Sequence, residues 1–408
     1  MKKRMSFRQR FLKKQTASDA LQNENRYYEN ISAHLGILQV ILYCALLAFV
    51  VLSFLRNTNL ITYQNFYYFF KDLNASAETV DVLSTDSVSY PTNTTQSFTL
   101  YRKGLAVAGN TSVTIFTATG RQTVSELINY QNPVAVGSGK YLLVYEMGGT
   151  RYSLYNSYTQ IHKGESDHSL LGATVSDNGM YALITSAEEY SSVVLLYNSH
   201  FSLINRYNKI GFVMDVSIDA NGKNVAILTS DTESGLFTTK LEIFTPGTPQ
   251  AKVTTPLGNT LALKCSFTSS DRLAVLCTDR VLSVDRSGKI GTAFSFDGKM
   301  IVDAEVNEDG IAVCLSSNDV SEKKQLIVFD KNGKLLYNKD ADMTVNAIAR
   351  CRDIVYLLGN GELGRLDVER DRLTKLSANT EKRCLLAVSQ TDALLCSPQK
   401  AEYIRFGS

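Results

Sequence analysis

No tryptophan occurs in the 408 residues. That absence counts against repeat families marked by a Trp-Asp dipeptide and against those that dock their repeats on Trp. The seven cysteines form no Cys-x-x-Cys pair, so zinc-ribbon and thioredoxin-type chemistry have no foothold. Clustered positive charge is missing from the main body: residues 1–34 carry eight Lys or Arg against three acids, which leaves 34 bases and 37 acids beyond position 34. A nucleic-acid partner, which needs a basic face, is therefore not expected.

Fragments that imitate functional motifs fail one by one. "VAVGSGKY" (134–141) has Val134 where a phosphate loop needs Gly and Tyr141 where it needs Ser or Thr, and reads as a hairpin turn. "GESDH" sets Ser166, Asp167 and His168 side by side, whereas a catalytic triad needs three side chains aimed at one point. His162 and His168, with Glu165 and Asp167 between them, lack metal-ligand spacing and read as a solvated polar loop. "NEDG" and "DKNG" lack the alternating ligands of calcium loops and read as turns. Asn74, Asn93 and Asn110 begin N-x-S/T triplets, which point to exposed stretches. No catalytic residue, cofactor or metal is assigned.

What is present begins with Leu35 to Leu55, 21 residues without a charge. At about 1.5 Å per residue such a helix matches a hydrocarbon core of about 30 Å. The run is too long for a signal-peptide core and lacks a small-residue cleavage pattern, so a retained transmembrane helix is expected. Lys2, Lys3, Arg4, Arg8, Arg10, Lys13 and Lys14 precede it, while only Arg56 and Lys71 follow within about twenty residues. The positive-inside rule then puts residues 1–34 in the cytoplasm and everything after Arg56 outside; the tail reads as a solvated topogenic segment, the alternative being a short helix with Phe7 and Phe11 one turn apart that lies on the inner leaflet. In the juxtamembrane segment 56–77, Tyr63, Phe66, Tyr67, Tyr68, Phe69 and Phe70 crowd together; they read either as an outer membrane-interface collar or as rings packed onto the following domain.

The rest of the chain repeats itself. "SDNGMYALIT" (176–185) returns as "DANGKNVAILT" (219–229), and six further copies of turn plus apolar run occur. Taking Gly104, Gly139, Gly179, Gly222, Asp271, Gly310, Asp353 and Asp392 as equivalent, the spacing averages about 41 residues. Each copy continues through a second polar turn into another strand, as in "QLIVFDKNGKLLYNK" (325–339). Four strands per unit at this period define the blade of an all-β propeller, and residues 78–408 are expected to form it. The count is eight blades, or seven if a terminal copy is degenerate. The last copy has only three strands, and "ETVDVLS" (78–84) is expected to complete it and close the ring. Six cysteines fall in this region, several inside apolar runs such as "LAVLC", and read as core thiols rather than a disulfide framework.

The basic tail, the single span, the aromatic "NFYYFFKDL" and the diffuse repeats resemble, over nearly the whole chain, an uncharacterised family of membrane-anchored propeller proteins of Gram-positive bacteria. The resemblance implies a cell-surface location and brings no activity. The expected function is a binding or scaffolding module for an envelope protein or wall polymer. The alternative is an extracytoplasmic enzyme with its site in the propeller channel, assembled from several blades and so without a local motif.

Overall fold

The computed structural model describes residues 34–35, 37–49, 51 and 87–407, apart from 270, 318–323 and 379–383. The chain divides into two compact units, Met1–Ala77 and Glu78–Ser408. In the first, the described residues are helical, and their apolar side chains from Leu35 to Val51 are exposed on every side. Among the described residues, no helix is long and apolar enough to cross a membrane. The aromatic set Tyr63, Phe66, Tyr67, Tyr68, Phe69 and Phe70 and the basic set from Lys2 to Lys14 lie outside the described residues.

The second unit is a ring of eight four-stranded antiparallel sheets, which settles the count at eight blades. Blades 1 to 7 span 96–127, 133–165, 170–209, 212–258, 262–295, 300–340 and 347–377, and in each the strands lie side by side in chain order. The second strand of a blade is covered on both faces. In Gly104–Gly109, Leu105 and Val107 pack with Leu394 and Tyr403 of blade 8, whereas Ala106 and Ala108 pack with Ala135, Leu142 and Val144 of blade 2. Both faces must therefore be apolar, which explains the continuous hydrophobic runs. Outer strands such as Arg372–Ser377 are mostly exposed and alternate or turn polar. Each Leu or Val buried between blades contributes about 1.5–3 kcal/mol. Between blades 2 and 3, tyrosines fill the space: the Tyr181 and Tyr197 rings stack 4.7 Å apart beside Tyr152.

The recurring Asn-Gly turn has a conformational cause. Gly179 and Gly222 sit at φ +85° and +65°, and Asp271 takes the same left-handed conformation in blade 5 at φ 63°. A Cβ on Gly179 would also lie 3.0 Å from Ser199 Cβ and 3.1 Å from the Tyr141 ring, so this position favours glycine twice over. The turns link the first and second strands at one face of the disc.

Blade 8 contains Cys384–Ala387, Asp392–Cys396 and Lys400–Arg405, and its fourth strand comes from the other end of the domain. That strand is Ser87–Ser89, paired Ser87 to Glu402 and Ser89 to Lys400. The ring closes as expected but a few residues later than "ETVDVLS" (78–84), which lies outside the described residues. The Tyr90 hydroxyl donates to the Ser397 carbonyl at 2.6 Å, and Gln96 Nε2 donates to the Pro398 carbonyl at 3.0 Å.

Three sequence expectations need revision. His162 is not in a loop: Gln160–Glu165 is the outer strand of blade 2, polar because it faces solvent, and the His162 ring stacks on Phe201 at 4.3 Å. Asn93 is buried, its Oδ1 accepting from the Thr111 N–H and hydroxyl, so that triplet is not an exposed one. No cysteine is joined in a disulfide, but the core-thiol description fits only Cys265, Cys277, Cys314 and Cys396 fully; Cys351 and Cys384 are half-buried.

Candidate functional site

Blade 4 departs from the pattern of its neighbours. Its two middle strands, Val225–Glu233 and Leu236–Phe244, have nine residues each, against five to seven in the corresponding strands of the other blades. At about 3.3 Å per residue the extra length carries the hairpin about 10 Å beyond the ring. Ser234 and Gly235 form its two-residue tip, both at positive φ, as a tight turn between strongly twisted strands requires. In an antiparallel blade this hairpin emerges on the same face as the connections between blades, and Ile210 and Gly211 of the connection from blade 3 lie beside it.

Strand alternation gives the projecting hairpin two different sides. Ser230 and Thr239, hydrogen-bonded to each other at 2.8 Å, face blade 5, where Ala262 N–H donates to Ser230 Oγ. Phe212, opposite Ser230, and Phe237, opposite Thr232, share that side. Leu236, Thr238, Lys240 and Glu242 alternate onto the other side, toward blade 3, where a groove of about 600 Å³ opens. Ile210, Phe212, Leu236 and Phe237 are 79%, 61%, 56% and 51% exposed. Large apolar side chains are thus exposed on both sides of the projecting hairpin, Phe212 and Phe237 on one and Leu236 on the other, with Ile210 on the connection beside it. In the groove, the buried Lys209 ammonium lies 2.7 Å from Glu242 Oε2, and the half-exposed Lys240 ammonium approaches the same oxygen at 3.7 Å. Burial pulls the Lys209 pKa down, and Glu242 opposes that shift.

The axis of the ring has a different chemistry. The first strand of each blade packs against the first strands of its neighbours and so lines the channel. Asp215, Asp303 and Glu305 lie on such strands, around Lys264. Burial raises the pKa of all three carboxyls, Asp215 to about 6, and the Lys264 charge opposes each shift. Two of them are committed to the architecture. Asp215 Oδ2 accepts from the Cys265 N–H of blade 5 at 2.9 Å, and Asp303 Oδ2 accepts from the Ile348 N–H of blade 7 at 2.7 Å. Ser217 does the same work at the boundary Asp215 serves, accepting from the Phe267 N–H, and Ser97 does so between blades 1 and 2, accepting from the Ala135 N–H. These side chains cap backbone donors on the inner edge that have no strand to pair with.

A pH effect follows. Asp215 has its folded pKa raised above the unfolded value of 3.8, so its contribution to stability is complete below pH of about 4 and is lost as pH rises through about 6. Asp215→Asn is expected to flatten the stability profile between those values relative to the unaltered protein, in urea titrations across pH. Identical profiles would remove Asp215 from the account.

The other candidates from the sequence do not converge. Val134–Gly137 is strand followed by a turn, as expected. Ser166 is buried while Asp167 is exposed, so those neighbours point apart. Among the described residues no group of three His, Cys, Asp or Glu side chains is arranged to hold a metal ion. Sequence reasoning missed the blade 4 ridge, although the 49-residue spacing between Gly222 and Asp271, the longest of the set, marked the insertion that builds it.

The fold and its faces define an eight-bladed β-propeller whose extended blade 4 hairpin carries exposed apolar side chains beside an inter-blade groove. Its sequence matches no curated protein. The chain belongs to DUF5711, a family of unknown function whose model matches residues 75–406. Among solved structures it is similar to BamB from Moraxella catarrhalis, with a TM-score of 0.51 and 12% identity over 79% of this chain and 99% of that one. It is also similar to Sqt1 from Chaetomium thermophilum bound to the N-terminus of the ribosomal protein L10, with a TM-score of 0.54 and 11% identity over 79% of this chain and all of that one, a coverage of 100%. At such identities the likeness shows the fold alone.

Proposed function

We propose that this protein is a membrane-anchored, extracytoplasmic propeller that binds a protein or wall polymer at the cell envelope and holds it there. The observation that carries the binding role is the blade 4 ridge: a hairpin extended beyond its neighbours that presents Leu236 and Phe237 to solvent beside Phe212 and Ile210. Apolar side chains held outward on a rigid scaffold gain free energy only when something covers them. Sqt1, of the same fold, holds a peptide segment, which by analogy favours a protein ligand. The membrane anchor is supported by the uncharged 35–55 run, and the orientation by the basic excess before it.

A photo-crosslinking amino acid at Phe237 in intact cells tests this, with Arg370 on the opposite face as the control position. Adducts with envelope proteins or wall polymer at Phe237 and not at Arg370 are expected. Cytoplasmic adducts, or the same set from both positions, would overturn the reading. Leu236→Asp combined with Phe237→Asp should abolish the adduct formed from a crosslinker at Ile210. Because both residues are exposed, stability should stay within about 0.5 kcal/mol.

The second reading, a channel enzyme, draws on the raised carboxyls of Asp215, Asp303 and Glu305. The backbone hydrogen bonds that Asp215 and Asp303 accept weigh against it, since a carboxylate tied to the neighbouring blade is poorly placed to move a proton to a substrate.

A further inference from the structure

Two of the thiols stand face to face. Cys384, on the inner strand of blade 8, is the register partner of Cys396 on its second strand. Directly opposed residues in an antiparallel pair have Cα atoms about 4.5–5.5 Å apart, within the range a disulfide spans. The Cys396 thiol is within hydrogen-bonding reach of Cys384, and that contact holds the Cys384 thiol below its ordinary pKa against the opposing effects of burial, Glu305 and Asp303. The two side chains share the face of blade 8 that packs on Tyr90, Phe98 and Leu105. They differ in access, because Cys396 is fully buried and Cys384 half-buried on the channel side. The remaining cysteines are placed otherwise: none of Cys265, Cys277, Cys314 and Cys351 is the register partner of another cysteine.

We propose that Cys384 and Cys396 are a redox-modifiable dithiol that closes into a disulfide within the blade that completes the ring. The oxidant is a small or protein-borne disulfide, R–S–S–R. The Cys384 thiolate attacks one sulfur of the oxidant, forming a mixed disulfide and releasing one R–S⁻, which takes up a proton. Cys396 then loses its proton and attacks Cys384 Sγ, expelling the second R–S⁻. Two protein thiols are oxidised by two electrons and one external disulfide is reduced to two thiols. Entry at Cys384 follows from its lowered pKa and its exposure, since the attacking species is the thiolate. The closed bridge ties the inner and second strands of blade 8 independently of the short Ser87–Ser89 strand.

The full chain incubated with oxidised glutathione tests the proposal. Non-reducing peptide mass mapping is expected to show Cys384 joined to Cys396 with the loss of two hydrogens, while the other four propeller cysteines remain alkylatable after unfolding. The midpoint of thermal unfolding is expected to rise by roughly 2–5 °C and to return on adding a dithiol reductant. In Cys396→Ser the reaction should stop at a glutathione adduct on Cys384; Cys396→Ala serves if the serine variant does not fold. Cys384→Ser should give neither adduct nor bridge. A persistent glutathione adduct on Cys384 in the unaltered protein, a bridge between any other pair, or no reaction at Cys384 would each overturn the proposal.

Discussion

A chain that starts at residue 92 is expected to lose the propeller, whereas one that starts at residue 78 keeps it. The difference contains Ser87–Ser89, which supplies the fourth strand of blade 8, and Tyr90. Without them Lys400–Arg405 becomes an unpaired sheet edge. Val88 and Tyr90 also leave the cluster they form with Leu105, Val107 and Phe116 of blade 1 and Leu394 and Ala401 of blade 8. Removing a buried aromatic costs about 3–5 kcal/mol and a buried Val about 1.5–3 kcal/mol. Together these losses rival the whole stability of a domain, about 5–15 kcal/mol. A ring concentrates the damage, because the packing of Leu105 and Val107 on blade 8 and the Gln96 hydrogen bond to Pro398 must then hold the closure without a fourth strand. Thermal melting followed by circular dichroism should show a cooperative transition for the longer chain and none, or one lower by more than about 10 °C, for the shorter. Equal transitions would mean that the ring does not depend on this closure. Tyr90→Phe in the full chain isolates the 2.6 Å hydrogen bond to Ser397 and is expected to cost only about 1 kcal/mol.

The ring was legible in the sequence because each blade must solve the same problem. A second strand covered on both faces has to be apolar throughout, and the turn before it has to accept positive φ, so "YALIT" after "SDNG" and "VAILT" after "DANGK" carry the period openly. The closing strand was less legible. Ser87–Ser89 is three residues long and reads "SVS", and one buried Val88 between two exposed serines gives no periodic signal, so the more strand-like 78–84 drew attention instead. The ridge was legible only as a spacing. Nothing in "SDTESGLFTTK" marks Leu236 and Phe237 as exposed, since Phe-Thr-Thr alternation is what any half-buried strand shows. The inter-blade caps were hidden for another reason: Asp215 in "FVMDVSI" resembles a misplaced charge until the neighbouring blade brings Cys265 N–H to it.

Replacing Glu242 with alanine is expected to cost about 3–5 kcal/mol, far more than the usual loss of an ion pair, because it leaves the Lys209 ammonium buried without its partner. Lys209→Met should cost less. Glu242 then keeps Lys240 at 3.7 Å, whose side chain is 49% exposed and can swing toward it, whereas Lys209, 4.6 Å from the centre of the Phe244 ring, has an apolar side to its surroundings. Lys209→Met with Glu242→Leu removes both charges from the floor of the groove and should recover most of the loss, as buried pairs replaced by apolar residues of similar volume do. The pH dependence separates this account from a simple packing defect. Burial already depresses the Lys209 pKa, and loss of Glu242 depresses it further. A lysine whose folded pKa lies below its unfolded value favours the folded state increasingly as pH rises toward about 10, so the deficit of Glu242→Ala should shrink over that interval. A deficit that is flat with pH in urea titrations would mean that the carboxylate acts by filling space rather than through its charge on Lys209.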